Sequence, residues 1–284
     1  MLKFLICISL ISTLTLSGYV QALDVVYAGK NENIYINRLL RHVLAYSKNK
    51  NYTPKAYGEK LPRGREYKFL AQEGVIDVLA DGATLERESK YLPIRFPILK
   101  GLNSWRISLI NKENKDIFLK VFTNEDLKEF TAAQFHSWSD SEILLSNGIK
   151  VYKGGNQEGL YRMLHKKRID YYPRSLLEIN REAKNHQHLN IMIEPYIIIH
   201  YPSAFYFYVN KENFTLAADI KEGLEKALKD GSFDRLFIEY FGDHVNEVIN
   251  SNRRVFTLDN PLLSDKTPLQ RKELWINFDQ SINK

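Results

Sequence analysis

Apolar positions along this chain follow two rhythms that take turns. Leu23 to Ala28 (LDVVYA) is a short β-rich run ending at Gly29, and Ile34 to Tyr46 then places Ile34, Leu39, Leu40, Val43 and Leu44 at helical spacing. Tyr52 to Tyr57 predicts a second strand, Gly64 to Glu73 a helix stopped by Gly74, and Val75 to Ala80 (VIDVLA) a third strand. Strand and helix in this order predict a mainly parallel sheet covered by helices. Ligands of such sheets sit beyond the carboxyl ends of the strands, here Tyr27-Ala28-Gly29 and Asp81-Gly82-Ala83-Thr84.

A shorter block repeats the order. Trp105 to Asn111 (WRISLIN) predicts a strand. A helix follows at Asn124 to Glu129, a strand at Thr131 to Gln134, a helix at Ser139 to Asn147, a strand at Ile149 to Tyr152, a helix at Gln157 to His165 and a strand at Arg168 to Tyr172. Ala204 to Asn210 is another strand. Phe214 to Lys229 is an amphipathic helix ended by Asp230-Gly231, and Phe233 to Phe241 a further helix. Arg253 to Lys284 has prolines and isolated apolar residues and is expected to wrap over the surface. Crossings near Ser104 to Asn111 and Ser203 to Asn210 suggest a hinge, since paired crossings let lobes close with small dihedral changes. The expected division is a leader at 1–22, a discontinuous first lobe at 23–108 and 206–284, and a second lobe at 109–205.

The leader reads as an export signal. Lys3 precedes the apolar run Phe4 to Leu16, which is short for a membrane span, and Val20-Gln21-Ala22 predicts cleavage after Ala22. Export would place the protein in the periplasm. The single cysteine, Cys7, lies in that run, so the mature chain would hold none. That excludes thiol catalysis, cysteine–zinc sites and disulfides. The net charge of +6 is carried by interleaved residues such as Lys112-Glu113-Asn114-Lys115-Asp116. Such mixing argues against a nucleic-acid surface, although the excess would bias a cleft toward anions. The usual hydrolase, metalloprotease and P-loop motifs are missing from the sequence, and its seven histidines are scattered. A binding role without metal or cofactor, exercised as a monomer, is the expectation; catalysis is a third possibility behind it.

Thr84-Leu85-Glu86-Arg87 follows the Asp81-Gly82 turn. A hydroxyl and an arginine three residues on can face one small volume at a helix start, where the guanidinium fork grips a carboxylate. The alternative is a helix cap at Thr84 beside a surface arginine.

These residues resemble the bacterial extracellular solute-binding proteins of family 3, the fold of the polar amino-acid receptors of ABC transporters. Ile76-Asp77-Val78 through Thr84-Leu85-Glu86-Arg87 is similar to that family's strand and Thr-x-x-Arg. Arg168-Ile169-Asp170 resembles its second-lobe Gly-Arg-x-Asp, with Lys167 where glycine is usual. Ala217 to Gly242 resembles its closing helices, and the likeness covers nearly the whole mature chain. It implies an α/β, two-lobed type II periplasmic-binding-protein fold with two hinge crossings and a ligand cleft between the lobes. It further implies a small polar or anionic, amino-acid-like solute, held by Thr84 and Arg87 and passed to an inner-membrane ABC permease. The alternative is a sensor of the same fold that binds a partner protein.

One departure stands out. Where the amino-acid receptors carry an aspartate for the ligand's ammonium group, this chain has Arg174 and Ser175 in Asp170-Tyr171-Tyr172-Pro173-Arg174-Ser175. Trp138-Ser139-Asp140-Ser141-Glu142-Ile143-Leu144 resembles the helix start of a less familiar branch, which adds Trp138 and Asp140 to the site. Two arginines, one per lobe, would favour a ligand with more than one anionic group or without a free amine. Arg174 could instead pair with Glu178, four residues on. Tyr27, Trp105 and Trp138 are the candidates for stacking on a flat ligand.

Overall fold

The computed structural model describes residues 22–30, 34–47, 50–72, 74–276 and 278. The proposed leader lies outside the described residues except for Ala22, the first residue of β1.

The first block forms β1 (Ala22–Tyr27), α1 (Tyr35–Leu44), β2 (Asn51–Ala56), α2 (Arg63–Leu70), β3 (Val78–Gly82), α3 (Leu85–Lys90) and β4 (Leu92–Ile94). The second forms β5 (Trp105–Asn111), α4 (Asn124–Leu127), β6 (Thr131–Phe135), α5 (Asp140–Ser146), β7 (Lys150–Gly154), α6 (Gln157–His165), β8 (Tyr171–Ser175), α7 (Ile179–Asn185), β9 (Ile191–Ile193) and β10 (Ile197–His200). The chain ends in β11 (Phe205–Val209), α8 (Phe214–Lys229), α9 (Ser232–Ile249) and β12 (Arg254–Thr257).

Two mixed sheets result. One has the order β2-β1-β3-β11-β4, the other β12-β10-β5-β8-β6-β7 with β9 on β5. The β1–β2, β1–β3, β6–β7 and β6–β8 pairs are parallel, while β11 and β5 run antiparallel to the strands they join. This is a two-lobed α/β fold.

One aspartate per lobe pins the parallel core. The Asp77 carboxylate accepts from Val26 N at 2.7 Å, and the Asp170 carboxylate from Thr131 N at 2.7 Å. Each aspartate also donates its own N–H to the carbonyl of that same residue. The Ile-Asp pairs are therefore strand starters, and strand pairing begins just after them. This is why β3 and β8 lie two to three residues beyond the runs predicted from hydrophobicity, and why Arg174 and Ser175 belong to a buried central strand.

α1 packs on α8 so closely that a Cβ on Gly223 would lie 2.1 Å from the Val43 carbonyl oxygen. α9 runs through Gly242, the expected helix end, because Val245 and Val248 continue its apolar stripe into the core. The largest apolar cluster joins residues of both lobes, including Val25, Leu39 and Leu224 of the first with Leu109, Leu160 and Tyr172 of the second.

Both expected crossings are present, one between β4 and β5 and one between β10 and β11. The C-terminal segment does more than wrap the surface. β12 pairs in parallel with β10 from Ile197↔Arg254 to His200↔Thr257, so this part of 206–284 belongs to the second sheet. Phe256 and Leu258 bury in the second lobe's own cluster. The chain then returns to the first lobe, where Leu274 is buried and the Trp275 ring lies 2.8 Å from where a Cβ on Gly101 would sit, at a φ of +74°.

Candidate functional site

The turns at the carboxyl ends of β3, β6 and β8 face one another across a cleft of about 410 Å3. Its first wall comes from Asp81, Gly82, Ala83 and Arg87, its second from Arg106, Trp138, Asp140, Arg174 and Glu178, and Asn260 and Leu262 of the C-terminal segment complete it.

On the first wall, Thr84 is the N-cap of α3, its hydroxyl accepting from Arg87 N at 3.2 Å. Arg87 folds back over the strand end, donating through Nη1 to the Gly82 carbonyl at 2.7 Å, with Nε 3.4 Å from Asp81. Asp81 also accepts from Tyr67 OH at 2.9 Å. The Arg87 Nη2 has no hydrogen bond among the described residues. The backbone donor of Leu85 is taken by the Leu262 carbonyl at 3.1 Å.

The second wall is built around two arginines. Arg106 is the charged position of β5; its Nη2 lies 2.6 Å from Asp140 and its Nε donates to Tyr201 OH at 2.8 Å. Tyr201 in turn donates to Asp140. Burial disfavours the charge on Arg106, but Asp140 and Tyr201 outweigh it and the pKa is raised. Burial pushes the Tyr201 phenol well up, so it remains a donor.

Arg174 is 3% exposed and lies against the Trp138 ring, 4.4 Å from its centroid. It donates to Glu182 through Nε and Nη2 at 2.5 Å each, and to Glu178 at 3.1 Å. Burial alone would raise the Glu182 carboxyl, yet the hydrogen bonds from Arg174 prevail and hold it below its usual range. Glu178 is 42% exposed and is engaged through Oε2, while its Oε1 has no hydrogen bond among the described residues. Ser175 caps the turn after β8, its hydroxyl accepting from Leu177 N at 3.3 Å.

Of the residues expected from sequence, Arg87, Trp138, Asp140, Arg174 and Ser175 line this cleft, and Thr84 stands behind Arg87 as a cap. Tyr27 and Trp105 do not line it. Tyr27 is 2% exposed beneath α1, where its hydroxyl meets the Arg41 guanidinium at 2.6 Å. It alternates inward with Val25, as a period of two requires. Trp105 precedes Arg106 and so faces the far side of the hinge, stacked on His200 with centroids 4.3 Å apart. Both arginines expected to face a ligand's anionic groups already have carboxylate neighbours, Arg87 in Asp81 and Arg174 in Glu178 and Glu182.

Sequence reading missed Arg106, Glu182, Tyr201, Asn103 and Asn260. Arg106 had a signal, being one arginine between Trp105 and Ile107 in a strand. Glu182 had none, since it reaches Arg174 by the turn of α7. The Asn103 Oδ1 is buried at the cleft without a hydrogen-bond partner among the described residues. Among those residues, no group of three or more His, Cys, Asp or Glu could hold a metal ion.

No family model matches the chain, and no curated protein matches it. Solved structures do share its fold. A probable amino-acid ABC transporter extracellular-binding protein from Bacillus subtilis aligns with a TM-score of 0.57 at 18% identity, over 79% of this chain and 99% of its own. A structure described for glutathione import through GshT and the cystine ABC importer of Streptococcus mutans aligns at 0.56 and 15%, over 78% and 96%. An ancestral arginine-binding protein bound to arginine aligns at 0.51 and 19%, over 78% and 98%. These likenesses establish the two-lobed type II periplasmic-binding-protein architecture.

Proposed function

We propose that the protein is an exported solute-binding protein that holds a small dipolar solute, amino-acid-like in its charges, in the cleft between its lobes. One observation carries this reading. Arg87 on one wall and Glu178 on the other line the same cleft, and the Arg87 Nη2 and Glu178 Oε1 have no hydrogen bond among the described residues; Asn103, whose buried Oδ1 is unpaired among them, lines it too.

Three arginines line the cleft, and each already has a carboxylate partner. A ligand of high negative charge would have to break those pairs, whereas one with an acid and a hydrogen-bond-donating group needs to break none. The fold supports the same reading, because solved proteins that share it are described as binding arginine or as serving glutathione or cystine import. Delivery to an inner-membrane ABC permease from the periplasm is the corresponding role. A protein of this fold that bound only a partner would have little use for an open cleft of about 410 Å3.

The test is to secrete the full chain in a bacterium, denature the purified protein and identify the released solute by mass spectrometry. Arg87→Ala and Glu178→Ala should each weaken calorimetric binding of that solute by roughly 1.5–3 kcal/mol, the range of charge-assisted hydrogen bonds. No released solute, and no thermal stabilisation by a panel of amino acids and short peptides, would overturn the reading.

A further inference from the structure

The C-terminal segment passes between the lobes on both sides of the hinge. Residues of the β10–β11 crossing alternate in direction, with Tyr201 and Ser203 lining the cleft and His200 and Pro202 lining a separate cavity behind it. Asn250 to Arg253, which carry the chain from α9 to β12, line that rear cavity. Asn260 and Leu262, on the way back, line the cleft.

The segment is fastened at each stage. In the second lobe β12 is zipped to β10, Arg254 donates to the carbonyls of Phe118 and Val121, and the Asn147 side chain bonds both the N–H and the carbonyl of Asp259. In the first lobe Arg271 makes a two-pronged ion pair with Glu225, and Ile276 N donates to the Lys100 carbonyl at 2.8 Å. Between these anchors, Asn260 Nδ2 donates to the Pro202 carbonyl at 2.8 Å while its Oδ1 accepts from Leu262 N at 3.0 Å. Leu262 packs on the second lobe's cluster and Leu263, the next residue, on the first lobe's. Leu262 also gives its carbonyl to Leu85 N at the start of α3.

We infer that residues 254–276 form a clasp that sets the separation of the two lobes and supplies the third wall of the cleft. Opening the cleft pulls the Leu262–Leu85 bond and parts the clusters under Leu262 and Leu263. The rear crossing at 250–253 resists rotation in the opposite sense. The site is then set before the solute arrives, and the backbone donor at the start of α3 is filled by the protein itself, leaving Arg87's side chain to read an acid group. The wall role rests on the solute-binding reading above, whereas the clasp role does not and is tested without ligand.

The experiment attaches spin labels to cysteines introduced one per lobe in the full chain. The substitutions are Glu59→Cys and Lys150→Cys in a Cys7→Ser background, both at exposed positions. Double electron–electron resonance should give one narrow interlobe distance in ligand-free protein. Leu262→Gly with Leu263→Gly should broaden it toward longer distances while far-ultraviolet circular dichroism stays unchanged. Should that pair misfold, Asn260→Ala, which removes only the bonds to Pro202 and Leu262, should broaden it in the same direction. A ligand-free protein that already samples open and closed distances would overturn the clasp, as would folded clasp variants as narrow as the parent. Either result leaves the solute test above standing.

Discussion

Arg174 illustrates how a residue's surroundings decide its role. An arginine at a strand end beside a cleft suggests an anion ligand, but with Glu182 and Glu178 in reach it is the centre of a buried ion-pair network under Trp138. Removing one partner of such a pair leaves an uncompensated charge, whereas removing both is tolerated far better. Arg174→Met should therefore cost about 3–5 kcal/mol in urea unfolding. Arg174→Met with Glu182→Leu should recover much of that loss. If the single variant were as stable as the parent and only solute binding fell, Arg174 would be a ligand contact after all. Arg87, by contrast, was legible in position and residue type, because a cap and an arginine three residues on are local features that survive any tertiary context.

At the scale of elements, the alternation of strand and helix in each block followed from local periodicity, while strand limits, sheet order and the short elements α7, β4, β9, β10 and β12 did not. Asp77 and Asp170 start their strands by binding a neighbour's N–H, a contact between distant residues that no hydrophobic pattern records. The β9–β10 connection holds another carboxylate that binds backbone N–H groups, here within its own turn. Glu194 is fully buried and accepts from Tyr196 N and Ile197 N at 2.8 and 3.1 Å, with Arg253 3.7 Å away. Burial pushes its carboxyl up to about 7 despite those bonds. The folded protein thus holds a proton there that the unfolded chain releases near its ordinary value of 4.5. Glu194's contribution to stability is complete below about pH 4.5 and is lost as pH rises through about 7, a change of up to about 3 kcal/mol. Glu182, held low by Arg174, acts in the opposite sense as pH falls. Thermal melts of the parent from pH 4.5 to 8 should include a decline that is reduced in Glu194→Gln. Parallel profiles would show that Glu194 ionises normally.

For the molecule as a whole, the two lobes share one apolar cluster and are joined again by the clasp. Such continuity predicts one cooperative unfolding transition rather than one per lobe. Trp138 in the second lobe and Trp275 against the first provide local probes. Fluorescence of variants keeping only one of them should report the same denaturant midpoint as circular dichroism. Separate midpoints would mean that the lobes unfold independently.

The sequence by itself determined the α/β class, the two repeated blocks and the two expected crossings, through side-chain period and turn residues. Spacing within a few positions put Arg87 at the cleft, whereas Trp138, Asp140, Arg174 and Ser175 were placed there by the resemblance to the family 3 solute-binding proteins. Tertiary structure alone decided which charges remain for a ligand. Arg106 found Asp140, Arg174 found Glu182, and Leu262 found Leu85, through contacts set by how the sheets and the C-terminal segment pack. Tyr27 and Trp105 turned away from the cleft for a related reason: alternation names the two faces of a strand, but only packing says which face meets the core.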